Sequence, residues 1–307
     1  MKKLFIILSL LICVSCTQAQ VDKTTQITKK PTLVKSVGQM TDKTDSLDLS
    51  DKGLTEIPAK VFQYKNLKYL NLYYNKLTFL PPEIGQLKNL KNLELNTNPL
   101  TSLPPEIGQL KNLKKLELFL NNLTFLPKEI GELENLTDLI VSNYVENHLL
   151  TSLPPEIGQL KNLVILGLHN NNITSLPPEI GQLKNLKEFD LSSTKVTFLP
   201  KEIGQLKNLT KLKLYNNKLT SLPKEIGEMK ELQQLEIDDN KLTSLPPEIG
   251  QLKNLKKIRL SGNKLTSLPR EIENLTNLTY LNLQNNPIPD TEKLKIKKIL
   301  PKCQVLF

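Results

Sequence analysis

The chain has 307 residues, with 41 basic and 31 acidic side chains, a formal net charge of +10 and no tryptophan. Apolar residues make up 38% and charged residues 23%, which fits a folded chain and excludes a disordered or collagen-like one. Three cysteines are too few for a disulfide scaffold, and two histidines leave little for a histidine-based metal site. The length predicts about two domains, and the positive charge makes nucleic acid or an anionic membrane the first partners to test.

Residues 1–15 predict a signal peptide. Lys2 and Lys3 precede an apolar run from Leu4 to Ile12. This run is shorter than the roughly 20 residues that a helix needs to span a bilayer, but it suits the apolar region of a signal peptide. We therefore expect residues 1–15 to direct export.

The signal peptide ends at a short cysteine motif. Ser15 followed by Cys16 resembles a bacterial lipobox, which implies that Cys16 is the lipidated residue. Cys13 departs from the lipobox pattern, which usually has leucine there, and cleavage after Ala19 or an uncleaved anchor are the alternatives. The Cys-x-x-Cys spacing lies in an apolar segment without a strand–helix context and does not predict redox chemistry. We expect a lipoprotein of the cell envelope or outer surface rather than a freely secreted or periplasmic protein.

Residues 16–43 predict a flexible tether before the folded part. They are rich in threonine, lysine, glutamine and aspartate and show little hydrophobic periodicity. Leu33, Val34 and Val37 allow an alternative in which this segment packs on the end of the following domain.

Residues 44–286 repeat one unit eleven times. The unit has leucine at its first, fourth and sixth positions and asparagine at its ninth, followed by Leu-Pro-x-Glu-Ile-Gly-x-Leu as in residues 80–87. The fourth position marks the copies: Leu47, Leu70, Leu93, Leu116, Leu139, Leu166, Phe189, Leu212, Leu235, Ile258 and Leu281. Every step is 23 residues except that from Leu139 to Leu166, which is 27.

This pattern resembles the 23-residue leucine-rich repeat LxxLxLxxNxLTxLPxEIGxLxN of bacterial, especially spirochaetal, proteins. The resemblance implies an α/β solenoid, a leucine-rich repeat horseshoe with a parallel concave sheet and short helical or 3-10 convex segments. One copy offers only about seven core positions, too few to offset the entropy of ordering it. Neighbouring copies must therefore stack, which replaces the two domains expected from length by one cooperative array.

Three features of the unit predict its local structure. Strand alternation points the leucines inward and the third and fifth positions outward. Pro81 is expected to stiffen the convex segment and Gly85 to end its helical turn. The ninth-position asparagines are expected to stack into a ladder that satisfies buried backbone groups. Its rungs are Asn75, Asn98, Asn121, Asn171, Asn217, Asn240, Asn263 and Asn286, with Thr194 as a substitute and a break in the fifth copy.

Residues 287–307 depart from the repeat and predict a C-terminal cap. Leu294, Ile296, Ile299 and Leu300 approximate one face of a short amphipathic helix, and Cys303 is expected to be a small buried hydrophobe rather than a reactive thiol.

The copies differ most at their outward strand positions, and some of these residues are apolar. They are Tyr69, Tyr73, Tyr74, Phe119, Leu120, Ile140, Ile165, His169 and, more weakly, Tyr215. Exposed apolar side chains ringed by charges predict a protein-binding patch with aromatic anchors. The alternative is that these side chains fill gaps against neighbouring strands and bind nothing.

The fifth copy carries a four-residue insertion beside this patch. The predicted loop contains Asn143, Tyr144, Val145, Glu146, Asn147 and His148. Loops on rigid scaffolds are common contact sites, although a neutral slip in a duplicated array explains the insertion equally well. His148 and His169 come close in this arrangement, but no cysteine or acidic set accompanies them, so no metal site is predicted.

No catalytic arrangement of residues stands clear of the repeat background, so we expect no enzyme and no cofactor. The resemblance implies an exported monomer that binds a protein partner, a host or bacterial-surface protein, through its concave face. A periplasmic envelope scaffold and a glycan-binding module are the alternatives. Residues 44–286 hold 29 basic and 27 acidic side chains, so we expect no continuous positive surface that could bind the phosphate backbone of a nucleic acid. Membrane contact is expected only through the lipid anchor.

Overall fold

The computed structural model describes residues 35–143 and 150–307, and these form a solenoid. Its strands pair side by side in chain order in a single 12-stranded parallel sheet. Each strand pairs with the same repeat positions of the next, as Leu47 does with Leu70 and Leu70 with Leu93. The predicted solenoid with a parallel sheet and short convex segments is confirmed.

Each of the first ten copies contributes one strand and one convex 3-10 helix, and the eleventh contributes a strand. The 3-10 helix Val37–Gln39 precedes the first copy, and a twelfth strand follows the last. The strands are β1 (Ser46–Asp48), β2 (Tyr69–Asn71), β3 (Asn92–Glu94), β4 (Lys115–Glu117), β5 (Asp138–Ile140), β6 (Ile165–Gly167), β7 (Glu188–Asp190), β8 (Lys211–Lys213), β9 (Gln234–Glu236), β10 (Lys257–Arg259), β11 (Tyr280–Asn282) and β12 (Gln304–Leu306). The 3-10 helices are Val37–Gln39, Ala59–Gln63, Pro82–Gln86, Pro105–Gln109, Lys128–Glu132, Pro155–Gln159, Pro178–Gln182, Lys201–Gln205, Lys224–Glu228, Pro247–Gln251 and Arg270–Asn274. One α-helix, α1 (Asp290–Ile299), follows β11.

The core runs without interruption between the sheet and the convex turns. In the second copy, Leu70 and Leu72 from the strand side and Ile84 and Leu87 from the convex side are completely buried. The other copies repeat this layer, and all layers join into one apolar cluster. Each layer is therefore covered by the layers of its neighbours, as expected for a solenoid.

The convex glycines have a different role from the predicted one. Gly85 does not end its turn, since the 3-10 helix continues to Gln86. A Cβ on Gly85 would lie 2.8 Å from the carbonyl oxygen of Glu106 in the next copy, so close stacking of the turns excludes a side chain. Glu273 occupies this position in Arg270–Asn274, the last 3-10 helix of the described residues. In the first copy the equivalent position is occupied by Phe62, which lies beside a groove of about 450 Å³ between the convex turns of the first two copies.

The asparagine ladder is confirmed by its hydrogen bonds. Asn98 donates from Nδ2 to the carbonyl oxygens of Leu72 (2.9 Å) and Leu95 (3.0 Å), and its Oδ1 accepts from the Leu77 amide (3.1 Å). Each rung thus ties two neighbouring copies together. The substitute rung Thr194 keeps the bond within its own copy, since its hydroxyl donates to the Leu191 carbonyl oxygen (3.2 Å), and the same hydroxyl lies 2.6 Å from Oδ1 of Asn217 in the next copy.

At the N-terminal end, Val37 packs against the core and Met40 is buried. Val37 therefore packs on the end of the folded part, as the alternative to a flexible tether expects. Leu33 and Val34 lie outside the described residues. Residues 1–34, with the expected signal peptide and Cys16, lie there too. None of the helices in the described ranges is long and apolar enough to cross a bilayer.

The C-terminal cap corrects two expectations. Leu294 is 70% exposed while Ile296 is buried, because residues two apart on an α-helix point in different directions and cannot share one face. The following residues add β12, whose Val305 pairs with Leu281, so the sheet has one strand more than the eleven copies predict. Cys303 is half-buried against the core, and burial raises the pKa of its thiol to about 11.

Candidate functional site

The outward strand positions form the concave face, as β2 illustrates. Leu70 is buried between the half-buried Tyr69 and Asn71. The seventh and eighth positions of each copy continue this surface beyond the carboxyl end of the strand. We call the third, fifth, seventh and eighth positions of all copies the concave face.

The predicted patch falls into two clusters. The tyrosine cluster comprises Tyr69, Tyr73 and Tyr74 in the second copy, where the rings of Tyr73 and Tyr74 lie 5.9 Å apart between centroids. The apolar cluster comprises Phe119, Leu120, Ile140, Ile165 and His169 in the fourth to sixth copies. Within it, the rings of Phe119 and His169 lie 6.3 Å apart. The polar third copy separates the two clusters, and Tyr215 lies two copies beyond His169.

Small residues form the floor of the apolar cluster. A Cβ on Gly167 would lie 3.0 Å from Cδ1 of Ile140, so Ile140 occupies the space that the glycine leaves. Ser142, between Phe119 and His169 in copy order, is completely buried. Ile140 therefore fills a gap against the neighbouring strand, as the alternative interpretation expects, while its outer side remains half-exposed.

Only the start of the insertion falls within the described residues. Asn143 is buried and donates from Nδ2 to Oδ1 of Asn171 (3.3 Å), which gives the rung of the sixth copy a partner. Residues 144–149, including Tyr144, Val145, Glu146, Asn147 and His148, lie outside. In residues 35–143 and 150–307, no group of histidine, cysteine and carboxylate side chains could hold a metal ion. Burial lowers the pKa of His169 although Asp190 opposes the shift, so its imidazole is neutral at pH 7.

Two glutamates lie between the clusters, and the sequence interpretation missed their arrangement. Glu94 and Glu117 are directly paired on β3 and β4. Lys115 Nζ lies 2.5 Å from one oxygen of Glu117, and Asn96 donates to the other at 2.6 Å. Glu94 instead receives a hydrogen bond from the Tyr69 hydroxyl. Burial and the charge of Glu117 raise the pKa of Glu94. Glutamate at the fifth position of consecutive copies was the signal that could have found the pair.

The C-terminal half of the concave face carries charges that pair between neighbouring strands. Lys213 lies 2.9 Å from Asp190, Lys257 lies 3.3 Å from Glu236, and Arg259 lies 3.0 Å from Asp238. Burial alone would raise the pKa of Asp190, but Lys213, His169 and the hydroxyl of Ser192 together lower it. This half is therefore largely neutralised from within.

The eighth position of the copies adopts a left-handed backbone conformation, which costs most residues roughly 1–2 kcal/mol and which asparagine, aspartate and glycine tolerate best. The residues found there with positive φ are Asp51, Tyr74, Thr97, Leu120, Asn170, Ser193, Asn216, Asp239, Gly262 and Asn285. The large or β-branched members, Tyr74, Thr97 and Leu120, belong to three consecutive copies. The second to fourth copies therefore keep unfavourable residues at the edge of the concave face.

Leu120→Asn is expected to raise the free energy of unfolding by about 1 kcal/mol, because asparagine relieves the left-handed strain and removes a half-exposed apolar side chain. Leu120→Ala is the matched control, since alanine loses the side chain but keeps the strain. Urea unfolding of both variants measures the difference. Equal stability of the two variants would contradict the strain argument.

Three further apolar side chains lie outside the concave face. Phe79, Phe125 and Phe198 are 51%, 51% and 56% exposed. Each stands in a Thr-Phe-Leu-Pro run where most copies have Thr-Ser-Leu-Pro, and this difference was the sequence signal for them. They lie two and three copies apart, so they form no continuous patch.

Comparisons with known proteins agree with this architecture. Residues 47–163 and 151–237 match the family described as leucine-rich repeat region, and residues 230–288 match that described as leucine rich repeat. The comparison with curated proteins gives no match.

Three solved structures are similar. A leucine-rich repeat protein of Leptospira interrogans is 39% identical over 87% of this chain and 84% of its own, with a TM-score of 0.46. The plant peptide hormone receptor RGFR1, in complex with RGF2, is 33% identical over 92% of this chain and 49% of its own, with a TM-score of 0.69. A TDR receptor is 32% identical over 87% of this chain and 47% of its own, with a TM-score of 0.74. The chain spans about half the length of these two receptors. From the repeat-region match over more than half of its length, the chain belongs to the leucine-rich repeat family.

Proposed function

We propose that this chain is an exported, non-catalytic protein that binds a host or bacterial-surface protein through its concave face. The observation that carries the proposal is the placement of Tyr74 and Leu120, which the chain holds at strained left-handed positions at the edge of the face. Strained residues that persist against their conformational cost cluster at functional sites. The similar structure of the peptide hormone receptor RGFR1 in complex with RGF2 supports a protein or peptide partner.

The apolar cluster is the part of the face that we expect to contribute most to binding. Combining Phe119→Ala, Ile140→Ser and Ile165→Ser is expected to weaken binding by about a hundredfold, because buried aromatic and aliphatic anchors dominate interface energies. The matched control replaces the exposed Phe79, Phe125 and Phe198, which lie outside the concave face, with serine.

The test uses the full chain, immobilised and exposed to extracellular-matrix and serum proteins and to bacterial-surface extracts. A retained protein is identified, and its dissociation constant is measured with the wild type and both triple variants. Binding that survives the triple change at Phe119, Ile140 and Ile165 but is lost in the control variant would overturn the proposal. Unfolding curves of both variants exclude a folding defect as the cause.

We propose further that the chain reaches the outer surface as a lipoprotein anchored at Cys16. Cys16→Ala is expected to abolish incorporation of radiolabelled palmitate, because no thiol remains at the lipobox position, whereas Cys13→Ala should leave labelling intact. Protease added to intact cells should degrade the wild-type chain. Protection from the protease would place the protein inside the envelope and favour a periplasmic scaffold.

A further inference from the structure

The concave face has two electrostatically unlike halves. In the first five copies its charged residues are five carboxylates and one lysine: Asp48, Asp51, Glu94, Glu117, Asp138 and Lys115. In the seventh to tenth copies they are five carboxylates and four cations: Glu188, Asp190, Glu236, Asp238, Asp239, Lys211, Lys213, Lys257 and Arg259. Uncompensated negative charge is therefore concentrated in the N-terminal half.

Among residues 35–143 and 150–307, no cation forms a salt bridge with Glu94. Lys115, which acts on Glu94 electrostatically, is committed to Glu117 at 2.5 Å. The Tyr69 hydroxyl donates a hydrogen bond to Glu94, and this donor is neutral. Lysines also precede β2, β3 and β4, but they lie at the amino-terminal edge of the sheet, where Lys68 pairs with Asp45 at 3.2 Å. A cation approaching the concave face would meet two adjacent carboxylates that share one internal lysine.

Apolar side chains lie directly beside this pair. Phe119 follows Glu117, the last residue of β4, by two residues, and alternate residues of an extended chain lie about 6.6 Å apart. Asn96 holds both in place, because its Nδ2 donates to Glu117 (2.6 Å) and its Oδ1 accepts from the Phe119 amide (2.8 Å). An extended peptide spaces its own alternate side chains by the same distance. One short segment can therefore reach the acidic pair and the apolar cluster together.

We propose that the N-terminal half of the concave face receives an extended polypeptide segment in which a lysine or arginine lies two residues from a large apolar side chain. The cation is bound between Glu94 and Glu117, and the apolar side chain packs against Phe119. The segment gains charge-assisted hydrogen bonds from the carboxylates and apolar burial from the cluster. This inference rests on the proposed function and specifies its partner.

The test selects random displayed peptides on the full chain and measures the affinity of those enriched. We expect enrichment of lysine or arginine two residues from an aromatic or aliphatic residue. Glu94→Gln with Glu117→Gln should weaken these peptides by about tenfold to a hundredfold, and added salt should weaken them on the wild type. The control pair Glu188→Gln and Asp239→Asn removes two carboxylates from the other half and should change affinity by less than about twofold.

Glu94→Gln alone leaves the Lys115–Glu117 pair intact and serves if the double variant unfolds. Selected peptides without enriched cations, equal losses in the two double variants, or no selected peptide would each overturn the inference. Some peptides could be weakened by the Phe119, Ile140 and Ile165 changes but not by the glutamate changes. That result would leave the proposed function standing and overturn the inference that a cation binds between Glu94 and Glu117. Peptides that bind all of these variants equally would count against both.

Discussion

Gly227→Ala is expected to lower the free energy of unfolding by about 3 kcal/mol. A Cβ on Gly227 would lie 2.5 Å from the carbonyl oxygen and 2.8 Å from the Cβ of Glu248 in the next copy. Neither atom belongs to a flexible side-chain end, so the convex turns must move apart. Because each layer of the solenoid is covered by its neighbour, that movement also loosens the core beneath.

Two alanine variants serve as controls for this prediction. Gly38→Ala adds a Cβ with no atom within 4 Å, and Glu273→Ala shortens the side chain at the equivalent position of the tenth copy. Both should leave the midpoint of urea unfolding nearly unchanged. A loss below about 1 kcal/mol for Gly227→Ala would mean that the convex turns adjust freely and that glycine is not required for their stacking.

Asn240→Ala is expected to destabilise the chain by about 3–4 kcal/mol, since each buried polar group left without a partner costs about 1–3 kcal/mol. Asn240 donates to the carbonyl oxygens of Leu214 (2.9 Å) and Ile237 (3.2 Å), and its Oδ1 accepts from the Leu219 amide (2.9 Å). Alanine removes all of these bonds at once from a rung that has neighbouring rungs on both sides. Chemical denaturation monitored by circular dichroism measures the loss.

A second asparagine separates the ladder from a general effect of the residue type. Asn254 is exposed and makes one hydrogen bond, to the Lys230 carbonyl at 3.0 Å, so Asn254→Ala should cost below about 1 kcal/mol. Asn240→Thr should lie between the two, because Thr194 shows that a hydroxyl preserves part of a rung. Similar losses at Asn240 and Asn254 would contradict the ladder's contribution to stability.

The repeated part of the fold could be predicted because apolar residues recur at the same inward positions in the copies. The ends could not, since residues 35–43 and 301–307 carry no repeat and are positioned by packing against the last layers. The role of the convex glycines also escaped prediction. This role depends on the short distance between Gly85 and Glu106, which belong to different copies, so the sequence of one copy does not reveal it.

The candidate site divides in the same way. Outward apolar residues such as Ile165 could be identified by comparing copies, because strand alternation fixes their direction. The acidic pair depended on contacts between side chains of different copies, such as that of Asn96 with Glu117. The left-handed backbone at Leu120 followed from the bend after the strand rather than from the preference of leucine, so its strain became visible only in the fold.

The insertion in the fifth copy leaves the convex stacking undisturbed. A Cβ on Gly131 would still lie as close to the backbone of Glu156 as those on the other convex glycines lie to their neighbours, although the fifth copy, which contains Glu156, is 27 residues long. Length changes after a strand are therefore tolerated, while the turns keep a constant spacing. In-frame recombination between copies can then lengthen, shorten or reorder the concave face by whole strands. Such a gene can present new sets of outward side chains without having to evolve a new core each time.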